Sequence, residues 1–169
     1  MILSLFTPDR AVASVADLDP GVLLGGGIRG IILDLDNTIV PWGEAAPPSF
    51  VREWVHRVRA AGLRGCIVSN NSSAWVAQVG DILSLPVVGW ALKPMPFGFL
   101  RAMALMGTRA RETALIGDQL FTDVLGGNLL GVHTILVEPL SVREFATTRV
   151  IRRIERLVRA KVLPRVRAD

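Results

Sequence analysis

Four short clusters of polar side chains interrupt an otherwise apolar sequence: Asp34-Leu-Asp36-Asn-Thr38, Ser69-Asn70-Asn71, Lys93-Pro94 and Gly117-Asp118-Gln-Leu-Phe-Thr-Asp123. Each comes after a short apolar run. A charge at the end of a buried strand is tolerated only where it is solvated, paired or on a metal. The residue types suit one reaction, phosphoryl transfer. A carboxylate can act as nucleophile and carry an aspartyl-phosphate. Asp34 and Asp36, two apart in an extended chain, point to the same side and can face one site. Carboxylate and carbonyl oxygens suit Mg²⁺, which keeps waters and substrate oxygens in its shell. A serine hydroxyl and the N–H groups of a helix N-terminus can hold phosphoryl oxygens. A lysine adds a point charge on phosphate and offsets crowded carboxylates.

These clusters need a scaffold that brings strand ends together. Short apolar runs predict strands over 31–35, 64–68, 86–90, 113–116 and 133–137, apolar enough to be covered on both faces. Helix-period segments lie between them. Val51, Trp54, Val55 and Val58 follow Ser49 as a cap and precede Gly62 as a stop, and Ser72 or Ser73 can cap a helix carrying Trp75, Val76 and Val79. Residues 97–106 and 121–130 supply two more helices. Alternation of this kind predicts an α/β domain with a five-stranded parallel sheet in the order 3-2-1-4-5, the first strand being 31–35. Ligands of such sheets bind at the carboxyl ends of the strands, where strand order reverses. Leu23-Leu-Gly-Gly-Gly27 reads as a loop ahead of the first strand, without the spacing of a phosphate loop.

Composition narrows the remaining classes. With 169 residues, half of them hydrophobic and a fifth charged, the chain reads as one domain with a sizeable core. No apolar run approaches the ~18 residues needed to span a bilayer, and the start lacks a signal peptide's basic region, so a cytoplasmic protein is expected. The lone Cys66 excludes an internal disulfide, and within an apolar strand it reads as a small buried residue. His56 and His133 lie too far apart in sequence to suggest zinc; His56 is expected to be solvated and His133 has no evident partner. Residues 143–169 carry nine basic and three acidic side chains, against ten and twelve in the remainder. The basic character therefore belongs to the tail, which argues against a nucleic-acid face made by the whole domain.

The four ordered clusters resemble the four motifs of the haloacid dehalogenase (HAD) superfamily of phosphatases. The closer resemblance is to its YqeG type, related to the mitochondrial phosphatidylglycerophosphate phosphatase. It rests on Pro8-Asp9, Gly30-Ile-Ile-Leu-Asp-Leu-Asp-Asn-Thr38, Pro41-Trp42, Val68-Ser-Asn-Asn71, Lys93-Pro94 and Gly117–Asp123, from near the start to about residue 137. The resemblance implies Asp34 as nucleophile and Mg²⁺ ligand. It implies Asp36 as general acid and then base, its main-chain carbonyl also on the metal. Ser69, Asn70 and Lys93 would bind the phosphoryl group and Asp118 would complete the metal ligands. Asp123 would orient Lys93 or a metal-bound water. The two carboxylates must differ, because Asp36 has to hold a proton while Asp34 stays ionised.

Asn71 and Gln119 either touch the same site or cap, and Trp42 either lines the entrance or packs. From Asp34 to Ser69 the chain has room for a loop and one helix, and from Ser69 to Lys93 for a helix and a strand. A cap domain is therefore not expected. An open site suits a phosphate on something large or membrane-bound, unless an oligomer partner covers it. Residues 149–163 form an amphipathic basic helix in projection: Val150, Ile151, Ile154, Leu157, Val158 and Val162 share an arc of ~140°, with arginines opposite. That helix either packs on the sheet or lies peripherally on an anionic membrane. The expected substrate is phosphatidylglycerophosphate, presented as an anionic lipid headgroup. The alternatives are a nucleic-acid end, a protein or a soluble sugar phosphate, or a non-catalytic module that keeps the fold.

Overall fold

A computed structural model describes residues 2–141, 155 and 157–163. The chain enters through a 3-10 turn, Ile2–Phe6, and forms β1 (Arg10–Val12), α1 (Pro20–Gly25) and β2 (Gly30–Leu33). It continues through α2 (Ser49–Ala60), β3 (Arg64–Val68), α3 (Ala74–Leu83), β4 (Val87–Val88) and α4 (Pro96–Met106). The last elements are β5 (Thr113–Gly117), a π-helical turn (Leu120–Val124), α5 (Leu125–Leu130) and β6 (His133–Val137). The sheet order is β1-β6-β5-β2-β3-β4 and every pairing is parallel. The expected order of five strands holds, with a sixth added at one edge. That strand escapes a periodicity reading because Arg10-Ala-Val12 is too short and too mixed to stand out. Asp9 fastens it: its carboxylate accepts from the Thr134 N–H at 2.8 Å, and His133 Nδ1 lies 3.5 Å away. His133 therefore has a partner that no local pattern indicates.

Alternation along the strands divides the core into two layers. Ile31, Leu33, Ile67 and Ile116 face α2 and α3, which bury Val51, Trp54, Val55, Val58, Val76 and Val79. Ile32, Cys66, Val68 and Leu115 face α4, which buries Phe99, Ala102, Met103 and Met106. Trp54 is wholly buried and its indole N–H donates to the Leu18 carbonyl at 2.8 Å. Truncating a buried aromatic of this kind costs about 3–5 kcal/mol.

Several boundaries move for local reasons. Residues 23–25 are helical rather than loop, because Asp19 accepts from the N–H groups of Gly21 and Val22 and Pro20 occupies the first turn of α1. Pro48, not Ser49, caps α2, with no side-chain bond. The 121–130 helix begins as the wider π-helical turn. β2 stops at Leu33 because the chain folds back, Ile39 and Val40 both donating to the Leu35 carbonyl. β4 is cut to two residues because Trp90 and Leu92 adopt left-handed backbone.

Of the C-terminal segment, residues 149–154 and 156 lie outside the described residues. Residues 157–162 are helical and dock on the body: Val162 and Val158 pack with Leu120, Val124 and Leu136. Buried Glu155 accepts from the Leu120 N–H, and Arg159 pairs with Glu138 at 2.9 Å. The inward face is thus Glu155 and Val162, both buried, with Val158 partly buried beside them. Leu157, placed by projection on the apolar arc, is exposed. At this rotation Glu155 points inward, onto the Leu120 N–H. Among the described residues no helix is long and apolar enough to cross a membrane.

Candidate active site

The strand order reverses between β2 and β5, and the polar clusters meet at the carboxyl ends of these strands and of β3. Asp34 follows β2 and is anchored by its N–H to the Ile116 carbonyl at 2.9 Å. Asp118 follows β5, and Asp123 comes from the π-helical turn beyond it. One carboxylate oxygen from each of Asp34, Asp118 and Asp123 lies within 4.8 Å of the others, and all three residues are buried. Gly117 makes the approach of Asp123 feasible: a Cβ there would lie 2.4 Å from the Asp123 carboxyl carbon.

Lys93 reaches this cluster from the loop after β4. Its ammonium donates to Asp34 Oδ1 and to Asp123 Oδ1, the latter at 2.7 Å. Asn70 clamps the Lys93 backbone from both sides, its Oδ1 accepting from the Lys93 N–H at 2.7 Å and its Nδ2 donating to the Lys93 carbonyl at 3.4 Å. Burial pulls the Lys93 ammonium down, yet Asp123 and Asp34 outweigh it and hold its pKa above the ordinary lysine range. One ammonium shared by two carboxylates leaves negative charge over. Accordingly burial, with Asp34 adding to it and Lys93 opposing, pushes Asp123 up to about 6.

Asp36 stands apart from that triad and is only partly buried. Burial first, and the charge of Asp34 second, raise its pKa to about 6, against the pull of Lys93 and a hydrogen bond with Ser69. Asp34 and Asp36 therefore occupy different environments although they belong to one motif. Ser69 is buried, and its hydroxyl also accepts from the Asn71 N–H at 3.0 Å.

Thr38 joins the cluster without having been singled out. Its hydroxyl lies 2.9 Å from Asp34 Oδ2 and 3.3 Å from Asp118 Oδ1, tying the ends of β2 and β5 together. Its place in the Asp-x-Asp-x-Thr spacing was the available signal. The Asn71 side chain accepts from Ser73 N–H at 3.0 Å, which serves the start of α3. The Gln119 N–H holds Asp123 Oδ2 at 3.2 Å. Trp42 is half-buried, its N–H bound to Asn37 Oδ1 at 3.1 Å. Cys66 is buried and free, its thiol pushed up to about 12 chiefly by burial.

An all-oxygen donor set of three buried carboxylates with incomplete charge compensation fits a hard divalent cation better than a soft one. Between Asp34 and Lys93 the described residues form only a loop, α2, β3, α3 and β4, so no cap domain is inserted there.

The family profile described as HAD-hydrolase-like matches residues 91–139. Among solved structures, the cobalt-bound deoxy-D-mannose-octulosonate 8-phosphate phosphatase of Haemophilus influenzae superposes with a TM-score of 0.54 at 17% identity, covering 65% of this chain and 68% of that one; the likeness is one of fold. A mitochondrial phosphatidylglycerophosphatase of Saccharomyces cerevisiae is 28% identical over 149 residues, 79% of this chain and 78% of that protein. The probable phosphatase YqeG of Bacillus subtilis is 38% identical over 158 residues, 94% of this chain and 92% of its own length. With 38% identity over nearly the whole of both chains, the chain belongs to the YqeG family of HAD-superfamily phosphatases.

Proposed function

We propose that this phosphatase hydrolyses a phosphate monoester through an aspartyl-phosphate on Asp34, with Mg²⁺ as cofactor, and that its substrate is phosphatidylglycerophosphate. The observation that carries the chemistry is the differing environment of the two motif carboxylates. Asp34 lies against the Lys93 ammonium and the Thr38 hydroxyl, which hold its carboxylate in place as the nucleophile. Asp36, raised to about 6, can hold a proton for the leaving oxygen and then take one from the water that opens the acyl phosphate. Lys93 lies on the nucleophile and offers its charge to the phosphoryl oxygens. Ser69 sits beside Asp36 and can serve the same oxygens; Asn70 acts through the Lys93 backbone it holds. Asp34 and Asp118, with the Asp36 main-chain carbonyl, would hold Mg²⁺, and Asp123 would orient Lys93 or a metal-bound water. An ion bound there would neutralise charge between the Asp34 carboxylate and the anionic phosphate it attacks.

The lipid reading is supported by the yeast relative, whose name states that activity, and by the lack of an inserted cap. The basic segment 149–163 belongs to this reading as a peripheral attachment to the inner face of the membrane, with Lys161 exposed. Magnesium should activate and EDTA silence the enzyme; full activity in EDTA would sink the metal assignment. Purified protein should be offered phosphatidylglycerophosphate in anionic vesicles or mixed micelles beside soluble phosphates and a 3′-phosphorylated oligonucleotide. Turnover of the lipid should lead and fall with added salt. A soluble phosphate preferred by ~tenfold or more in kcat/KM would remove the lipid and leave the phosphatase.

A further inference from the structure

The loop that delivers Lys93 inward, and the first turn of α4 after it, hold several large apolar side chains outward. Trp90 is 73% exposed, Leu92 62%, Met95 50% and Phe97, in the first turn of α4, 71%. The arrangement is rigid rather than loose. The Ala91 N–H is bound to the Ser69 carbonyl at 3.1 Å and Met95 N–H to the Leu92 carbonyl at 2.9 Å. Gly98 sits so close to Ala91 that a Cβ there would lie 2.6 Å from the alanine methyl. Trp90 and Leu92 take φ of +50° and +53°, a conformation that large side chains seldom adopt. Strained backbone thus holds large apolar groups in solvent beside the catalytic lysine.

The helix continues the pattern. In projection Phe97, Leu100, Arg101 and Ala104 share the face opposite buried Phe99, Ala102, Met103 and Met106. From residue 82 to residue 111 the sequence has no acidic side chain, and Arg101 on this face is exposed. An apolar patch that carries Arg101 on the same helix face complements an anionic bilayer, whose headgroup region accepts tryptophan and whose surface attracts arginine.

We propose that this face is a membrane-docking surface, in which Trp90, Leu92, Met95, Phe97 and Leu100 enter the headgroup–acyl boundary of an anionic bilayer and Arg101 lies at its headgroups. The docking rests on the phospholipid reading above and deepens it. The wedge that enters the bilayer is the loop that carries Lys93, so docking brings the site mouth to the depth of a lipid phosphate. This surface is separate from the basic segment 149–163.

The test uses the full chain and vesicles of phosphatidylcholine with and without phosphatidylglycerol, free of substrate. Wild type should float with the anionic vesicles, and the triple variant Trp90→Asn, Phe97→Ser, Leu100→Ser should bind about tenfold or more weakly. Turnover of a soluble aryl phosphate should be unchanged, which also shows that the variant is folded. As a measurement that needs no substitution in the patch, lipids brominated in the acyl chain should quench wild-type tryptophan emission. That quenching should be lost in Trp90→Phe. Absence of vesicle binding, binding indifferent to the triple variant, or a wild-type dimer that the variant dissociates overturns the docking surface. Turnover of a short-chain, monomeric phosphatidylglycerophosphate is measured alongside. If it fails while patch-dependent vesicle binding holds, the substrate reading falls and the docking stands. If it succeeds while binding ignores the patch, the reverse follows.

Discussion

At the carboxyl ends of the strands, Asp34, Asp118, Asp123 and Lys93 are buried, while a few residues along the same chain Trp90, Leu92, Met95 and Phe97 stand in solvent. The two regions depart from ordinary burial in opposite directions, and they share the loop 89–95. Each departure opposes stability, the first by desolvating charge and the second by exposing apolar surface on strained backbone. A fold selected for stability alone would exchange them. Their adjacency shows one loop sending Lys93 into the buried charge cluster and Trp90, Leu92 and Met95 into solvent, the division on which the proposed function and docking surface rest.

The sharpest break between the regions is in turnover. Asp34→Asn should lower hydrolysis of an aryl phosphate by ~10³-fold or more with the circular dichroism spectrum retained, whereas Trp90→Asn should leave it within about twofold. Comparable losses in both variants would erase the distinction between a chemical floor and a non-catalytic rim.

Lys93→Met tests the floor as a set of mutually dependent charges. It leaves Asp34 and Asp123 buried without their ammonium, so urea unfolding in EDTA should show a loss of about 3–5 kcal/mol. Millimolar Mg²⁺ should reduce that loss. A variant as stable as wild type in EDTA would mean that the cluster is not desolvated as described.

Asp36→Asn separates function from stability through pH. The folded-state pKa of Asp36, about 6, lies above the ordinary aspartate value near 4. The folded protein therefore binds this proton more tightly than the unfolded chain, and its contribution to stability is lost as pH rises through that window. In EDTA the Asn variant should thus gain stability over wild type on going from pH 4 to pH 7, while losing turnover ~10²–10⁴-fold. That turnover loss should be smallest on aryl phosphates with good leaving groups. A pH-independent difference in unfolding midpoint would refute the raised pKa.

The smallest effect lies at the rim. Leu92→Gly removes the steric cost of φ +53° and little buried area, so it should raise stability by about 0.5–1 kcal/mol in urea. A decrease would show that Leu92 packs and that the strain argument fails.

Much of this arrangement was legible in the sequence because it is written locally. The apolar runs, the helix-period segments between them and the four polar clusters depend on neighbours a few residues apart, so period and spacing expose them. Asp34, Asp36, Ser69, Lys93 and Asp118 converge as the spacing implied. Thr38 was visible only as part of the motif; that it spans Asp34 and Asp118 depends on β2 lying beside β5. The edge strand β1 escaped because its partner, β6, lies more than a hundred residues away and three mixed residues carry no period.

The sequence by itself determined the residue types at the strand ends, the alternation that buries β2 and β5 on both faces, and hence which reaction the ends can support. Only the tertiary structure decided that Asp34 and Asp36 differ in environment, that Asn70 holds the Lys93 backbone, and that Glu155 points inward onto the Leu120 N–H. It also decided that the side chains between buried Ala91 and buried Gly98 alternate inward and outward. Those outcomes depend on the distance between groups remote in the chain and on how much water remains between them, and desolvation and Coulomb energy respond to that separation rather than to order along the sequence.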